Sequence, residues 1–307
     1  MALTGVLRPA YIQIRVLDMG DAKTHYIDRI GLNLVSEEAD GRVYLRAFDE
    51  FDRHSIILRE ADMPGADLMG FKVASDADLD AFEKRLKDYG VAVDHVPAGE
   101  QPGVGRRIGF MIPTGHRIEL VADMDMSDQH PPITNPDIWR KMPHGMKATR
   151  FDHALFYGPD LDETRDLLAN CLDFKLAEHV PLPDGSEMAI WMSCGMKAHD
   201  IAFVRHDVPG KLHHVSFFLE SWHDVGVAAD IITVNDISID VGPTRHGITR
   251  GQTIYFFDPS GNRNEVFAGG YTYYPDNPTR TWTMDELGKG IFYYERKLND
   301  AFLSVLT

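Results

Sequence analysis

The stretch Pro113 to Asp123, PTGHRIELVAD, returns 146 residues later as Pro259 to Gly269, PSGNRNEVFAG, with Pro, Gly, Arg, Glu and Ala in the same places. An internal repeat fixes the architecture before any single motif is interpreted, because each copy must fold as the same supersecondary unit. Outward from these copies the order of elements repeats too. Each half opens with a short strand, Tyr11 to Leu17 or Phe151 to Tyr157. A helix follows whose positive end is marked by acidic residues: Asp18 and Asp21 in one half, Asp160, Asp162 and Glu163 in the other. A second helix carries one apolar stripe, Leu79, Phe82, Leu86 and Tyr89, matched by Trp222, Val225, Ala229 and Ile232. Short β-like runs surround them: RVYLRAF, HSIILRE, GFKVA, RRIGFMI and RIELVA, then EMAIWMS, DIAFVR, HHVSFFL, QTIYFF and NEVFA. Each half reads βαβββ twice, which predicts an α+β fold of four such modules paired into two duplicated domains.

A length of 307 residues agrees with two domains. The expected boundaries are an amino-terminal domain over 1–123, a linker over 124–147, a carboxy-terminal domain over 148–270 and a tail over 271–307. The linker is punctuated by Pro131, Pro132, Pro136, Pro143 and Gly145 and has no sustained periodicity. The tail is dense in aromatics (Tyr271, Tyr273, Tyr274, Trp282, Phe292, Tyr293, Tyr294, Phe302) and reads as helical from Met284. It is expected to pack on the second domain, where it either closes a pocket, makes a subunit contact or is simply a packed extension.

A composition of 44% hydrophobic and 25% charged residues excludes disorder. A net charge of −16, spread along the chain, repels polyanions, so nucleic acid and anionic membranes are not expected partners. Two cysteines, Cys171 and Cys194, cannot build a disulfide framework, and no run reads as a signal segment or membrane helix. The expected setting is reducing and cytoplasmic, which suits a reduced metal.

The duplication also supplies an internal control. A ligand-type residue present in only one copy of a shared scaffold position is not explained by the scaffold. By offset, His153 aligns with Gln13, His214 with Gly70, and Glu265 with Glu119. Two imidazoles and a carboxylate on three strands can converge on a metal and leave adjacent coordination positions open, the arrangement of non-haem Fe(II) oxygenases. His213 falls by alternation on the opposite strand face and is assigned a structural role. Glu119 is expected to serve as a salt-bridge partner.

Further polar residues cluster near the trio. His246 and Tyr255 precede Glu265, and His199 stands before the strand DIAFVR. Imidazole and phenol groups suit a pocket that must exchange the protons of a diphenol, although His199 also reads as a strand cap and Tyr255 as a core aromatic. Trp191, Ile248, Thr249, Ile291 and Phe302 are candidate pocket walls.

The segment TRHGITRGQTIYFFDPSGNRNE, from Thr244 to Glu265, resembles the signature of the extradiol ring-cleavage dioxygenases of the vicinal oxygen chelate superfamily. The resemblance extends over GVLRPAYIQIRVLDM, RFDHALFYG, KAHDIAF, LHHVSF, SIDVGPTRHG and FLSVLT, and is closest to the catechol 2,3-dioxygenase family. It implies the glyoxalase-like fold, a metal-free amino-terminal half, and Fe(II) held by His153, His214 and Glu265. It further implies catalytic roles for His199, His246 and Tyr255, a homotetramer, and catechol-type substrates cleaved with O2 to 2-hydroxymuconate semialdehydes in aromatic catabolism. Ligand types alone do not separate iron from manganese. Two other classes fit the scaffold: a glyoxalase or epimerase, which would need a fourth protein ligand that the strand IAFVRH lacks, and a metal-free protein that binds an aromatic molecule.

Overall fold

The computed structural model describes residues 5–307. The first half runs β1 (Val6–Val16), α1 (Met19–Lys23) continued by a π-helical turn Thr24–Ile30, β2 (Asn33–Glu37), β3 (Val43–Arg46), β4 (Ile56–Glu60), β5 (Gly65–Val73), α2 (Asp76–Asp88), β6 (Val93–Val96), β7 (Arg107–Met111) and β8 (Arg117–Val121). The second repeats it as β9 (Arg150–Gly158), α3 (Leu161–Leu172), β10 (Lys175–Pro181), β11 (Glu187–Ser193), β12 (Ile201–Arg205), β13 (Lys211–Phe218), α4 (Trp222–Val234), β14 (Ile239–Arg245), β15 (Gly251–Phe257) and β16 (Arg263–Gly269). Each half is one sheet. The first is ordered β2-β3-β4-β1-β5-β8-β7-β6 and the second β14-β15-β16-β13-β9-β12-β11-β10. In both, two βαβββ modules join through their opening strands, β1 with β5 and β9 with β13, antiparallel. This is the glyoxalase-like α+β architecture.

Local chemistry repeats with the elements. Ser75 caps α2 by accepting from the Asp78 backbone N–H, and Ser221 caps α4 by accepting from that of Asp224. Leu79, Phe82 and Leu86 bury the inner face of α2, while Val225, Ala228 and Ile232 bury that of α4. Each predicted stripe loses one end: Tyr89, at the C-cap of α2, is 48% exposed and Trp222, the first residue of α4, is 42% exposed, while Ala228 rather than the predicted Ala229 is the buried alanine of α4. The apolar faces of the two sheets merge into one core, where Phe71 meets Phe174 edge to face at 5.3 Å.

Side chains of the repeated turn stitch the halves together. Asp258 receives the Tyr26 hydroxyl at 2.9 Å, Ser260 Oγ accepts from the Leu17 backbone N–H at 2.8 Å, and His25 Nε2 lies 2.8 Å from Asn264 Oδ1. Part of the recognisable segment around Asp258 is therefore scaffold.

The linker carries no named element, only bridges from Asp52 to Met126 and from Val104 to Met124. The tail pairs β17 (Arg280–Thr281) with β10, and its helical part is broken into a 3-10 turn at Met284–Glu286, α5 (Leu287–Ile291) and α6 (Asp300–Ser304). No helix among the described residues is long and apolar enough to cross a membrane.

Candidate metal centre

Strands β9, β13 and β16 are neighbours at the middle of the second sheet. Ser216 of β13 pairs with His153 of β9 on one side and with Glu265 of β16 on the other, so the three share one row and project to one face. The small Ser216 lets the outer side chains close over it. His214, two residues back along β13, points to the same face and completes the trio. All three are at most 2% exposed.

His153 Nε2 lies 3.0 Å from Glu265 Oε2 and 3.3 Å from His214 Nε2, and the third edge, His214 Nε2 to Glu265 Oε2, is 3.5 Å. Donors about 2.1 Å from an ion at right angles to one another sit about 3 Å apart. The triangle fits one face of an octahedron.

Proton positions agree with a cation site. His153 Nδ1 donates to Asp152 Oδ2 at 2.8 Å, which leaves Nε2 as the ring atom that faces the carboxylate of Glu265. Asp152 is itself held by Arg150 at 3.1 Å and Lys197 Nζ at 3.2 Å. Glu265 Oε1 accepts from Thr253 Oγ1 at 2.6 Å, while the buried Oε2 accepts no hydrogen bond. Burial opposes charge on His153, but the Asp152 and Glu265 carboxylates outweigh it and raise its pKa. Burial would likewise raise the carboxyl of Glu265, yet contacts with His153 and His246 hold it well below the usual range. A point that draws protons from both sides is equally a point for a metal ion.

The first half shows the same scaffold position closed by protein. Gly70 pairs with Tyr11 and with Glu119 as Ser216 does with His153 and Glu265. The Tyr11 hydroxyl donates to Glu119 Oε2 at 2.9 Å, and Arg107 Nε lies 3.0 Å from the same oxygen. Arg117 Nε donates to Oε1 at 3.1 Å. A Cβ on Gly70 would lie 2.4 Å from the Tyr11 ring, so this arrangement requires glycine there. Glu119 is the salt-bridge partner expected of it.

This register corrects the alignment by offset. His153 corresponds to Tyr11 and His214 to Leu68, two residues from Gln13 and Gly70 respectively. Bulges between Pro9 and Tyr11, Gln13 and Ile14, and Leu212 and His214 absorb the difference. The control survives, because neither equivalent is an imidazole. The Leu212–His214 bulge also overturns the expected placement of His213 on the far face: its Nδ1 lies 2.6 Å from His214 Nδ1.

A cavity of about 40 Å³ touches the trio and is lined by His199, His246, Tyr255, Trp191, Ile248, Thr249, Ile291 and Phe302, together with Leu155 and Phe267. Every candidate from the sequence thus meets at one place; Leu155 and Phe267 join them as walls. Larger cavities of about 340 Å³ beside the linker and 690 Å³ beside Arg245 lack such a ligand cluster. The His199 ring centroid is 4.0 Å from that of His153; burial, then the charges of His153 and Lys197, push its pKa well below the ordinary imidazole value. The Tyr255 hydroxyl lies 2.8 Å from His246 Nε2, and burial with the nearby Glu265 carboxylate raises its pKa. His246 Nδ1 donates to the Ile291 carbonyl. Thr249 has φ of +59°, unusual for a β-branched residue. Its backbone N–H is clamped by Glu178, which also accepts from Tyr271 and Trp282, and its buried hydroxyl has no partner.

Residues 66–125 match the catechol 2,3-dioxygenase-like N-terminal domain, and residues 150–266 match the glyoxalase/bleomycin resistance protein/dioxygenase superfamily. The chain is 50% identical over 304 residues to metapyrocatechase of Pseudomonas sp. (strain CF600), covering 99% of each. The chain belongs to the extradiol dioxygenases. The manganese-dependent 2,3-dihydroxybiphenyl 1,2-dioxygenase of Geobacillus genomosp. 3 is 30% identical, with 87% of each chain covered. The crystal structure of the 2,3-dioxygenase LapB from Pseudomonas sp. KL28 superposes with a TM-score of 0.90 at 45% identity, covering 92% of this chain and 99% of that one. Members of this family depend on a metal, and His153, His214 and Glu265 form a possible metal site among the described residues of this extradiol dioxygenase.

Sequence reasoning missed the supports of this dioxygenase site. Asp152 orients His153, Thr253 holds Glu265, Ser216 leaves room, and Lys197 fixes Asp152. Only Asp152, adjacent to His153 in RFDHALF, carried a local signal; the others depend on pairing across the sheet.

Proposed function

We propose that this chain catalyses Fe(II)-dependent extradiol cleavage of catechol and small alkyl- or chlorocatechols with O2, giving 2-hydroxymuconate semialdehydes in the breakdown of aromatic compounds. One observation carries the reading: His153, His214 and Glu265 present three donors on one side, and the cavity on the other is lined by acid–base groups and apolar walls. In the overall change the ring bond beside the diol breaks and both oxygen atoms of O2 enter the product, so no external reductant is required.

His153, His214 and Glu265 would hold the metal. A reduced metal there supplies the electronic link between a singlet diol and triplet dioxygen. The chain's residues do the rest. The Ile291 carbonyl turns His246 so that Nε2 faces the Tyr255 hydroxyl, and this pair receives a diol proton and hydrogen-bonds the oxygen that lost it. His199, kept uncharged by burial, stands beside His153, where its N–H can hydrogen-bond charge that develops on oxygen and hand over a proton. Trp191, Ile248, Ile291 and Phe302 exclude water and grip the ring, and the unpaired Thr249 hydroxyl offers it one polar contact.

The donor set accepts iron or manganese, and the facial arrangement favours Fe(II). Among the described residues the ligand atoms clustered within 4.8 Å stop at three, which argues against a glyoxalase or epimerase. The family resemblance implies a homotetramer, and exposed apolar side chains on the linker, with Ile138 80% exposed, support a subunit contact that covers them. Free thiols and a reduced metal support a cytoplasmic setting.

Protein reconstituted anaerobically with Fe(II), mixed with catechol and then opened to air should turn yellow as the semialdehyde forms, whereas Zn(II) protein should stay colourless. Turnover with Mn(II) but not Fe(II) would overturn the metal assignment and keep the reaction. No ring-opened product with either metal would overturn the reaction itself.

A further inference from the structure

His213 lies beside a proposed metal ligand without belonging to the trio. Its Nε2 is 3.0 Å from the main-chain carbonyl of Phe302, which can only accept, so Nε2 carries the hydrogen. The ring is 2% exposed and the Arg263 guanidinium bonds to the carbonyl of His213 itself, which leaves no room for a second positive charge, so Nδ1 is a bare acceptor. That atom lies 2.6 Å from His214 Nδ1, which must donate to it. The His214 ring is left with its lone pair on Nε2, the atom 3.3 Å from His153 Nε2 and 3.5 Å from Glu265 Oε2. Without this relay either tautomer of His214 is available, and one of them points an N–H at the metal position.

The source of the relay is the tail. Phe302 sits in the five-residue helix α6, whose closing carbonyls lack partners within the helix. The segment is stapled in place from both sides. Thr307 and Leu212 exchange backbone hydrogen bonds of 2.7 and 3.0 Å, and Arg263 Nη1 reaches the carbonyls of Val305 at 2.7 Å and His213 at 3.3 Å.

We propose that His213 is a positioning residue: it passes the acceptor character of the Phe302 carbonyl to His214 and so locks His214 in the tautomer that presents Nε2 to a metal. The inference rests on the metal reading above. It gives the tail a task distinct from closing the pocket or meeting another subunit. The competing explanation is packing alone, since the His213 ring also stands 4.6 Å from that of Phe302 and 5.1 Å from that of Tyr157.

Two substitutions separate these explanations. His213→Phe keeps an aromatic ring and loses the acceptor; His213→Asn loses the ring and keeps an acceptor oxygen near the Nδ1 position. Zn(II) affinity of the chelator-treated full-length protein would be measured by competition, with circular dichroism as the check on folding. The protonation of His214 would be read from its ¹⁵N shifts in the diamagnetic Zn(II) form. His213→Phe should weaken Zn(II) binding by about ten-fold or more, as loss of an outer partner of a ligand does, and His213→Asn by less than about three-fold. Native His214 should show a protonated Nδ1 and a metal-bound Nε2. The proposal is overturned if His213→Phe binds as tightly as the native protein, if both variants weaken alike, if Asn is the worse of the two, or if native His214 binds through Nδ1. Absence of Zn(II) binding at the trio in the native protein would instead remove the metal reading.

Discussion

Replacing Glu119 and Glu265 by Gln, in separate proteins, should separate a structural carboxylate from a metal-binding one at equivalent points of the fold. Glu119 is 2% exposed and faces two guanidinium groups and a phenol: Arg107 at 3.0 Å, Arg117 at 3.1 Å and Tyr11 at 2.9 Å. Removing one partner of a buried charge pair costs about 3–5 kcal/mol, because the other charge stays buried. Arg107 retains Glu100, and the amide oxygen of Gln can still accept from Tyr11, which places Glu119→Gln near about 3 kcal/mol. The shift in urea denaturation of the metal-free protein measures it. Metal affinity, from chelator competition, should be unchanged, since the ligands stand on the other sheet. Glu265→Gln retains the Thr253 contact but replaces an anionic ligand by a neutral one, and metal affinity should fall by about 100-fold or more. A stability loss below about 1 kcal/mol in Glu119→Gln, well under the expected range for a broken buried pair, would refute the reasoning. So would a change in its metal affinity beyond the measurement error.

Asp152→Asn removes the charge that orients His153, and metal affinity should fall about 10–100-fold with the fold intact; affinity within two-fold of native on chelator titration would contradict this. Ser216→Val replaces one hydroxyl by two methyl groups in the fully buried row between His153 and Glu265, costing about 1–3 kcal/mol of stability and loosening the metal, both visible in the denaturation and chelator assays. His116 is buried on Phe156 and its pKa is pushed down to about 4. Below pH 6.5 the unfolded chain takes up a proton that the folded one refuses until about pH 4, so this residue makes stability fall as pH drops through that window and adds no further slope below it. His116→Gln should flatten the slope of urea stability between those values; an unchanged slope would show that His116 is not responsible.

The inner strands were legible because burial writes itself into composition: HSIILRE and QTIYFF contain the unbroken apolar runs Ile56 to Leu58 and Ile254 to Phe257. The edge strands β2, β6 and β14 were not, since they are mostly half-buried or exposed and lack a clean alternation. Residue types pointed to the candidate site that the sheet brings together, because two imidazoles and a carboxylate in one copy of a duplication have no scaffold explanation. Register carried it poorly. Bulges in β1 and β13 slide the pairing by two residues, which is why Tyr11, rather than Gln13, stands where His153 does. Arg107, Ser216 and Thr253 act only through partners that the sheet brings beside them, and nothing local in the sequence announces those partners.

Anomalous scattering at the iron edge, from a crystal grown with Fe(II) and soaked with catechol without oxygen, tests the central claim most directly. The account predicts one peak about 2.1 Å from His153 Nε2, His214 Nε2 and a Glu265 oxygen, with both catechol oxygens on the face turned toward His246 and Tyr255. A peak elsewhere, or one capped by a fourth protein side chain with the ring excluded, would contradict it.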